Sequence, residues 1–397
     1  MSKVNVITSC SGRFHIFDQA AELHRHGVLH RLINDYPKSQ TRRWGIPNDK
    51  ATSLLLNGVL ARLSRHTAGV FPAPLQSRLL AFIHGFFSSR LAANIPLDAD
   101  IFIGLSSFCF EAIIAAKARG IITIVDHGSL HQRYERKLLE EECTKLGIAL
   151  NEQVAPDWLI AKEDREFQAA DRIMVLSQAA KRSMMMEGIP AEKLFVNPCG
   201  VDTAAFRPMP AGDQTFRVIF CGKMSPRKGI HYLLDAFNAL NLPNAELWVI
   251  GSPPDAAFGQ MLNPLITARV KVLGTYPQER LPELYAQGSV FVLPSLADGF
   301  GMVVPQAMAC GLPVIVTENV GASDVVSEGV NGFVIPIRDT DALSQKLSML
   351  YEQPEMRIEM GKAAAHKAGS ELSWRAYGDR LVAFLESCQQ HHQEVRQ

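Results

Sequence analysis

The sequence lacks a charge excess of either sign, with forty Lys plus Arg against forty Asp plus Glu in 397 residues. A net charge of zero argues against a general nucleic-acid binder, which needs a basic surface to neutralise phosphates. No eighteen apolar residues follow one another, so no bilayer-spanning helix is expected. Strand-like residues begin at Val4 with no apolar leader before them, so no secretion signal is expected either. Cysteines number only seven (Cys10, Cys109, Cys143, Cys199, Cys221, Cys310 and Cys388), an odd and scattered set with no CxxC pair. This argues against a zinc site or a disulfide framework and fits reduced thiols in a cytoplasmic protein. The segment Ser9–Phe14 has no GxGxxG, which leaves a dinucleotide dehydrogenase poorly supported.

What is present is an ordinary globular composition, 47% apolar and 20% charged, over a length that suits two domains. Short apolar, β-branched runs alternate with helix-like segments, the pattern of parallel βαβ units. In the first half the runs are Val4–Thr8, Leu29–Ile33, Ile101–Leu105, Ile121–Val125, Ile173–Leu176 and Leu194–Val196. The second half gives Val218–Cys221, Leu247–Ile250, Val270–Leu273, Val290–Leu293, Val314–Thr317 and Phe333–Ile335. A Pro- and Gly-rich stretch, Asn197–Asp213, separates the two sets as an interdomain linker. The expected fold class is α/β, with two Rossmann-like doubly wound parallel sheets facing a cleft.

One segment departs from the average. Residues 50–97 contain no Asp or Glu, yet Lys50, Arg62, Arg65, Arg78 and Arg90 are interleaved with Leu54–Leu56, Leu79, Leu80, Phe82, Ile83, Phe86 and Phe87. Such a face can lie on anionic lipid headgroups, or it can be a helix pair with solvated arginines; both readings stay open. The DxD at Asp98 and Asp100, a metal-binding spelling elsewhere, sits just before a strand and reads as a polar strand entrance.

The most informative stretch runs from Pro294 to Pro313. A strand ends near Leu293, a loop with Asp298, Gly299, Phe300 and Gly301 follows, and a helix runs from about Met302 until Gly311 stops it. Glycines let backbone N–H groups approach a ligand closely, and the helix start suits phosphate. The wording of this segment resembles the signature of the family 4 retaining glycosyltransferases (glycosyl transferases group 1), whose architecture is GT-B. The resemblance extends through Gly222-Lys223-Met-Ser-Pro-Arg227-Lys228-Gly229, Leu247–Gly251 and Asn197–Phe206, and is thin before residue 170.

The resemblance implies that Asp298 holds donor-sugar hydroxyls. It gives the amides of Gly299, Phe300, Gly301, Met302 and Val303 to sugar and diphosphate, and Gln306 to the nucleotide ribose. The family usually has Glu at both carboxylate positions, whereas this chain has the shorter Asp298 and the neutral Gln306. Lys223 and Lys228, with Gly222, Arg227 and Gly251 around them, fall where the family binds the donor diphosphate, and two fixed cations there would stabilise a leaving phosphate. In the first half, Gly12 and Arg13 lie after the first strand, beside the expected diphosphate and acceptor. Asp126, His127 and His131 follow the strand Ile121–Val125, with His127 the favoured contact to the sugar.

The expected organisation is an acceptor-binding domain over 1–205, a nucleotide-sugar-binding domain over 206–370, and a helix over 371–397 crossing back to the first. The expected reaction moves a sugar from a nucleoside diphosphate sugar to a glycan or lipid-linked hydroxyl with retention, without a metal, in polysaccharide or lipopolysaccharide assembly at the cytoplasmic face of the membrane. No second well-placed carboxylate is evident in the sequence, which argues against a covalent glycosyl-enzyme. A noncatalytic sugar-nucleotide binder and a nucleotide-sugar epimerase of the same fold remain alternatives.

Overall fold

The computed structural model describes residues 4–66, 71–150, 154–210 and 212–396. Thirteen strands form among them: β1 Val6–Cys10, β2 Leu29–Asn34, β3 Ala51–Ser53, β4 Ile101–Leu105, β5 Ile122–His127, β6 Arg172–Val175, β7 Leu194–Val196, β8 Phe216–Cys221, β9 Ala245–Ile250, β10 Val270–Gly274, β11 Val290–Leu293, β12 Val314–Thr317 and β13 Gly332–Ile335. The first seven make one sheet in the order β3-β2-β1-β4-β5-β6-β7 and the last six another in the order β10-β9-β8-β11-β12-β13, with every pairing parallel.

Strands buried on both faces need no polar alternation, which is why they read as continuous apolar runs. In the first sheet Ile7, Ile33, Phe102, Val125 and Ile173 enter one core, while their neighbours Val6, Leu32, Ile103, Ile124 and Met174 enter a second core on the other face. Helix Ala73–Ala93 supplies Phe87 and Leu91 to the first of these. The second is closed by the C-terminal helix Trp374–Arg396, through Tyr377, Leu381 and Leu385. This helix therefore packs on the first sheet although it follows the second in the chain.

Its return path runs beside the linker. Val201 N–H donates to Leu372 O at 2.7 Å, and Arg380 donates to Pro198 O at 2.8 Å. A Cβ at Gly200 would lie 2.5 Å from Trp374 N, so the two crossing chains can approach this closely only because residue 200 is glycine.

Strand order reverses between β1 and β4 in the first sheet and between β8 and β11 in the second. A crevice opens at each such switch point beyond the carboxyl ends of the strands, and the loops carrying the expected site residues leave from these four strands or their neighbours.

Candidate active site

The loops after β8 and β11 are bound to each other. Arg227 O accepts from Leu296 N–H at 2.8 Å, and the Arg227 guanidinium donates to Ala297 O at 3.0 Å. Gly229 adopts φ +64°, and a Cβ there would meet Pro294 O at 1.9 Å, so a side chain would drive the loops apart. Lys228 is ion-paired with Asp298. Burial alone would raise the Asp298 carboxyl, but the charges of Lys228 and Arg227 and the Phe300 N–H outweigh it and hold the group below the usual carboxylate range. Gly251 packs against Gly222, which in turn lies beside the Lys228 methylenes.

The β11 loop also touches the first domain. A Cβ at Gly299 would lie 2.2 Å from Gly128 O, and the Gly299 carbonyl accepts from Ser177 Oγ at 2.8 Å. The cleft is thus closed on one side by backbone packed on backbone.

Two adjoining cavities remain. One, of about 400 Å³, is lined by Gln306, Met302, Gln278 and Glu279 from the second domain and by Arg13, Phe14, His15 and Trp44 from the first. Gln306 is buried and its Oε1 has no partner among the described residues. The other, of about 520 Å³, is lined by Asp298, Phe300, Gly301 and Met302 across from His15, Ser106, Ser107, Ser129, Gln132 and Glu163. A buried unpaired amide oxygen and a ring of hydroxyls and carboxyls suit a ligand rich in hydroxyl groups.

The structure assembles the expected residues unevenly. Asp298, Phe300, Gly301, Met302, Gln306 and Arg13 line the cavities; Val303 opens the helix Val303–Ala309 behind them. Gly12 ends the β1 loop, with its N–H on Asp35 at 3.0 Å, and the Arg13 guanidinium lies over the Trp44 ring at 4.9 Å. Lys223 is exposed, and neither it nor Arg227 nor Lys228 lines either cavity; Lys228 is joined to the larger one through its ion pair with Asp298. Arg227 faces Glu135 at 3.6 Å, and burial raises that carboxyl against the pull of the guanidinium.

Three expectations require correction. His127 does not line the cleft: its ring is buried, shared between Ser106 Oγ at 2.9 Å and Leu130 O at 3.2 Å, and burial lowers it to about 4, which leaves it neutral. His131 is buried as well, where its Nδ1 caps the helix Gln132–Leu146. Asp126 is wholly buried and acts through another residue. The cleft histidine is His15, whose Nε2 lies 3.0 Å from both Asp126 oxygens. Burial lowers the affinity of His15 for a proton, but the Asp126 charge outweighs it and raises the group overall. Glu163, a second carboxyl in the larger cavity, was likewise not anticipated.

Asp98 and Asp100 lie before β4, bonded to His30 and Asn5 at the strand entrances. That is the edge remote from the cavities.

Residues 202–367 match the family model described as "Glycosyl transferases group 1". The amylovoran biosynthesis glycosyltransferase AmsK of Erwinia amylovora is 26% identical over 90% of this chain and 88% of its own. A D-inositol 3-phosphate glycosyltransferase of Nocardiopsis dassonvillei is 26% identical over 83% of this chain and 78% of its own. Among solved structures, sucrose-phosphate synthase from Thermosynechococcus elongatus superposes with a TM-score of 0.69 at 18% identity, covering 97% of this chain and 99% of that one. HepE of Anabaena, solved with UDP and glucose, gives 0.66 at 18% identity, covering 97% and 100%. With two facing parallel-sheet domains the chain has the GT-B fold, and its second domain matches the glycosyl transferases group 1 family.

Proposed function

We propose that the protein transfers a sugar from a nucleoside diphosphate sugar to a hydroxyl acceptor with retention, in the assembly of a cell-surface polysaccharide or lipid-linked glycan. The observation that carries this reading is the pair of adjoining cavities: the smaller offers the unpartnered Gln306 Oε1 to a ribose, and the larger offers Asp298 and a ring of hydroxyls to a sugar. Lys228, and Arg227 beside it, would meet the diphosphate between them and stabilise the charge that builds on the leaving oxygen. That phosphate would take the acceptor proton on the same face as the bond it leaves. Two cationic side chains at the diphosphate make a metal unnecessary in this scheme. Closure between the domains would exclude water and so suppress hydrolysis.

The relatives support this reading by their names: one is an amylovoran biosynthesis glycosyltransferase, and one structural neighbour is a lipopolysaccharide outer core galactosyltransferase. Isothermal titration with UDP, GDP and ADP and their glucose and mannose sugars, each with and without EDTA, tests it, followed by turnover with the tightest donor. The expected result is micromolar binding of one nucleotide series, unaffected by EDTA, and transfer to an acceptor. Binding without transfer or hydrolysis would remove the catalytic reading.

A further inference from the structure

The larger cavity holds a group for which the fold has no use. Glu163, on the helix Asp157–Ala169, is 3% exposed; one oxygen accepts the Ser107 hydroxyl, and the other, Oε2, is buried with no partner among the described residues. An orphaned carboxyl oxygen is costly, and a glutamine or an apolar residue would fill the site at less expense to stability.

The structural work at this place is done by a neighbour. Glu166, one turn on, accepts from the N–H groups of Ser107 at 2.6 Å, Cys109 at 2.8 Å and Phe110 at 3.1 Å, and so moulds the loop after β4 and starts the helix Phe110–Lys117. It holds Ser107 at φ +75°, a left-handed conformation unfavourable for a residue with a side chain, and from there the Ser107 hydroxyl meets Glu163. Backbone strain held in place beside a cavity points to function more than to packing.

We propose that Glu163 Oε2 hydrogen-bonds a hydroxyl of the sugar that enters this cavity, acting from the first domain while Asp298 acts from the second. The proposal deepens the nucleotide-sugar reading and rests on it. Burial pushes the Glu163 carboxyl up to about 7, the Ser107 bond opposes this, and the nearby Asp164 and Glu135 add to it. Lys162 and Glu166 are the other charged groups close by. Near neutrality the group therefore exists as both acid and carboxylate, able to donate to a sugar oxygen or accept from a sugar hydroxyl.

The sugar could be that of the donor or that of the acceptor, and the test has an arm for each. Wild type, Glu163→Gln and Glu163→Ala are titrated with UDP, GDP and ADP, with their glucose and mannose sugars, and with methyl α-hexosides in the presence of saturating nucleoside diphosphate. Glu163→Ala is expected to bind the sugar-bearing ligand about tenfold more weakly or worse, with affinity for bare nucleotide unchanged and Glu163→Gln intermediate. Loss confined to the nucleotide sugars assigns the hydroxyl to the donor, and loss confined to the methyl hexosides assigns it to the acceptor.

Equal losses for sugar-bearing and bare ligands would mark a merely structural role and overturn the proposal. If the sugar adds as much affinity in both variants as in wild type, Glu163 alone loses its role. A wild type to which the sugar adds nothing would overturn the nucleotide-sugar reading and this role together. Thermal melts guard against misfolding, and Glu163→Gln is expected to melt no lower than wild type at pH 8, because the cost of burying a charge is gone.

Discussion

Lys228 and Asp298 form an ion pair between the loops after β8 and β11, and each satisfies the other. A diphosphate would compete for Lys228 and a sugar hydroxyl for Asp298, so binding of donor exchanges one set of charge-assisted contacts for another. Replacing Lys228 with alanine should lower kcat/KM by about tenfold or more with little change in melting temperature, since the lost partner is at the cleft and not in either core. Steady-state kinetics beside a thermal melt check this, and unchanged turnover would remove the diphosphate role. At this scale the sequence was informative only where a motif was contiguous. Asp298, Gln306 and Lys228 could be read from their neighbours in the chain. His15 could not, because what aims it is Asp126, 111 residues away. Glu163 sits among the charges of an ordinary amphipathic helix, and nothing in that pattern distinguishes a buried carboxyl from a solvated one.

Among the elements, the twelve apolar runs all correspond to strands, with ends displaced by at most two residues, because full burial on both faces leaves an unbroken apolar signal. The strand not foreseen is β3, Ala-Thr-Ser, a three-residue edge strand whose identity comes only from its pairing with β2. The basic, acid-free segment forms the helices Leu55–His66 and Ala73–Ala93. Phe87 and Leu91 are buried against the first sheet and Ile83 is buried as well, so part of the apolar content is core. The remainder is not: Leu55, Leu56, Val59, Phe71, Leu75 and Phe82 are exposed, along with Arg62 and Arg78; the Arg65 side chain lies outside the described residues. Among the described residues no helix is long and apolar enough to cross a membrane, but this face suits anionic headgroups. Sedimentation with phosphatidylglycerol-containing vesicles at low salt should therefore retain the protein. Retention should fall as salt rises, and should drop at least severalfold in an Arg62→Glu, Arg78→Glu variant. Absence of binding at low salt would leave these helices as a solvated face.

For the whole molecule, a net charge of zero conceals a division of labour between regions: cations gather on the 50–97 helices and beside the β8 loop, and carboxyls gather between the domains. One of those carboxyls, Glu142, holds the domains together. It is wholly buried on the helix Gln132–Leu146 of the first domain and accepts from Tyr232 OH at 2.7 Å and Arg338 Nε at 2.7 Å, with His231 Nε2 at 2.8 Å, all from the second. Arg338 reaches it from φ +64°, a conformation that the ion pair helps to hold. Burial would raise the Glu142 carboxyl, but these three partners outweigh it and lower the group to about 2. A carboxyl with a folded-state pKa below its unfolded value of about 4.5 contributes stability that is complete above that value and is lost as pH falls through the folded pKa. Glu142→Gln should thus lower the melting temperature at pH 7 by about 5 °C or more, as expected for breaking a buried charge cluster in a chain of this size. The gap between variant and wild type should narrow steadily from pH 4.5 toward pH 2. Because the lost contacts join the domains, small-angle X-ray scattering should show the variant more expanded than wild type at pH 7 while both keep the same helical content. A melting difference that stays constant down to pH 2 would place the effect in local packing and take the pH-sensitive clasp away from Glu142.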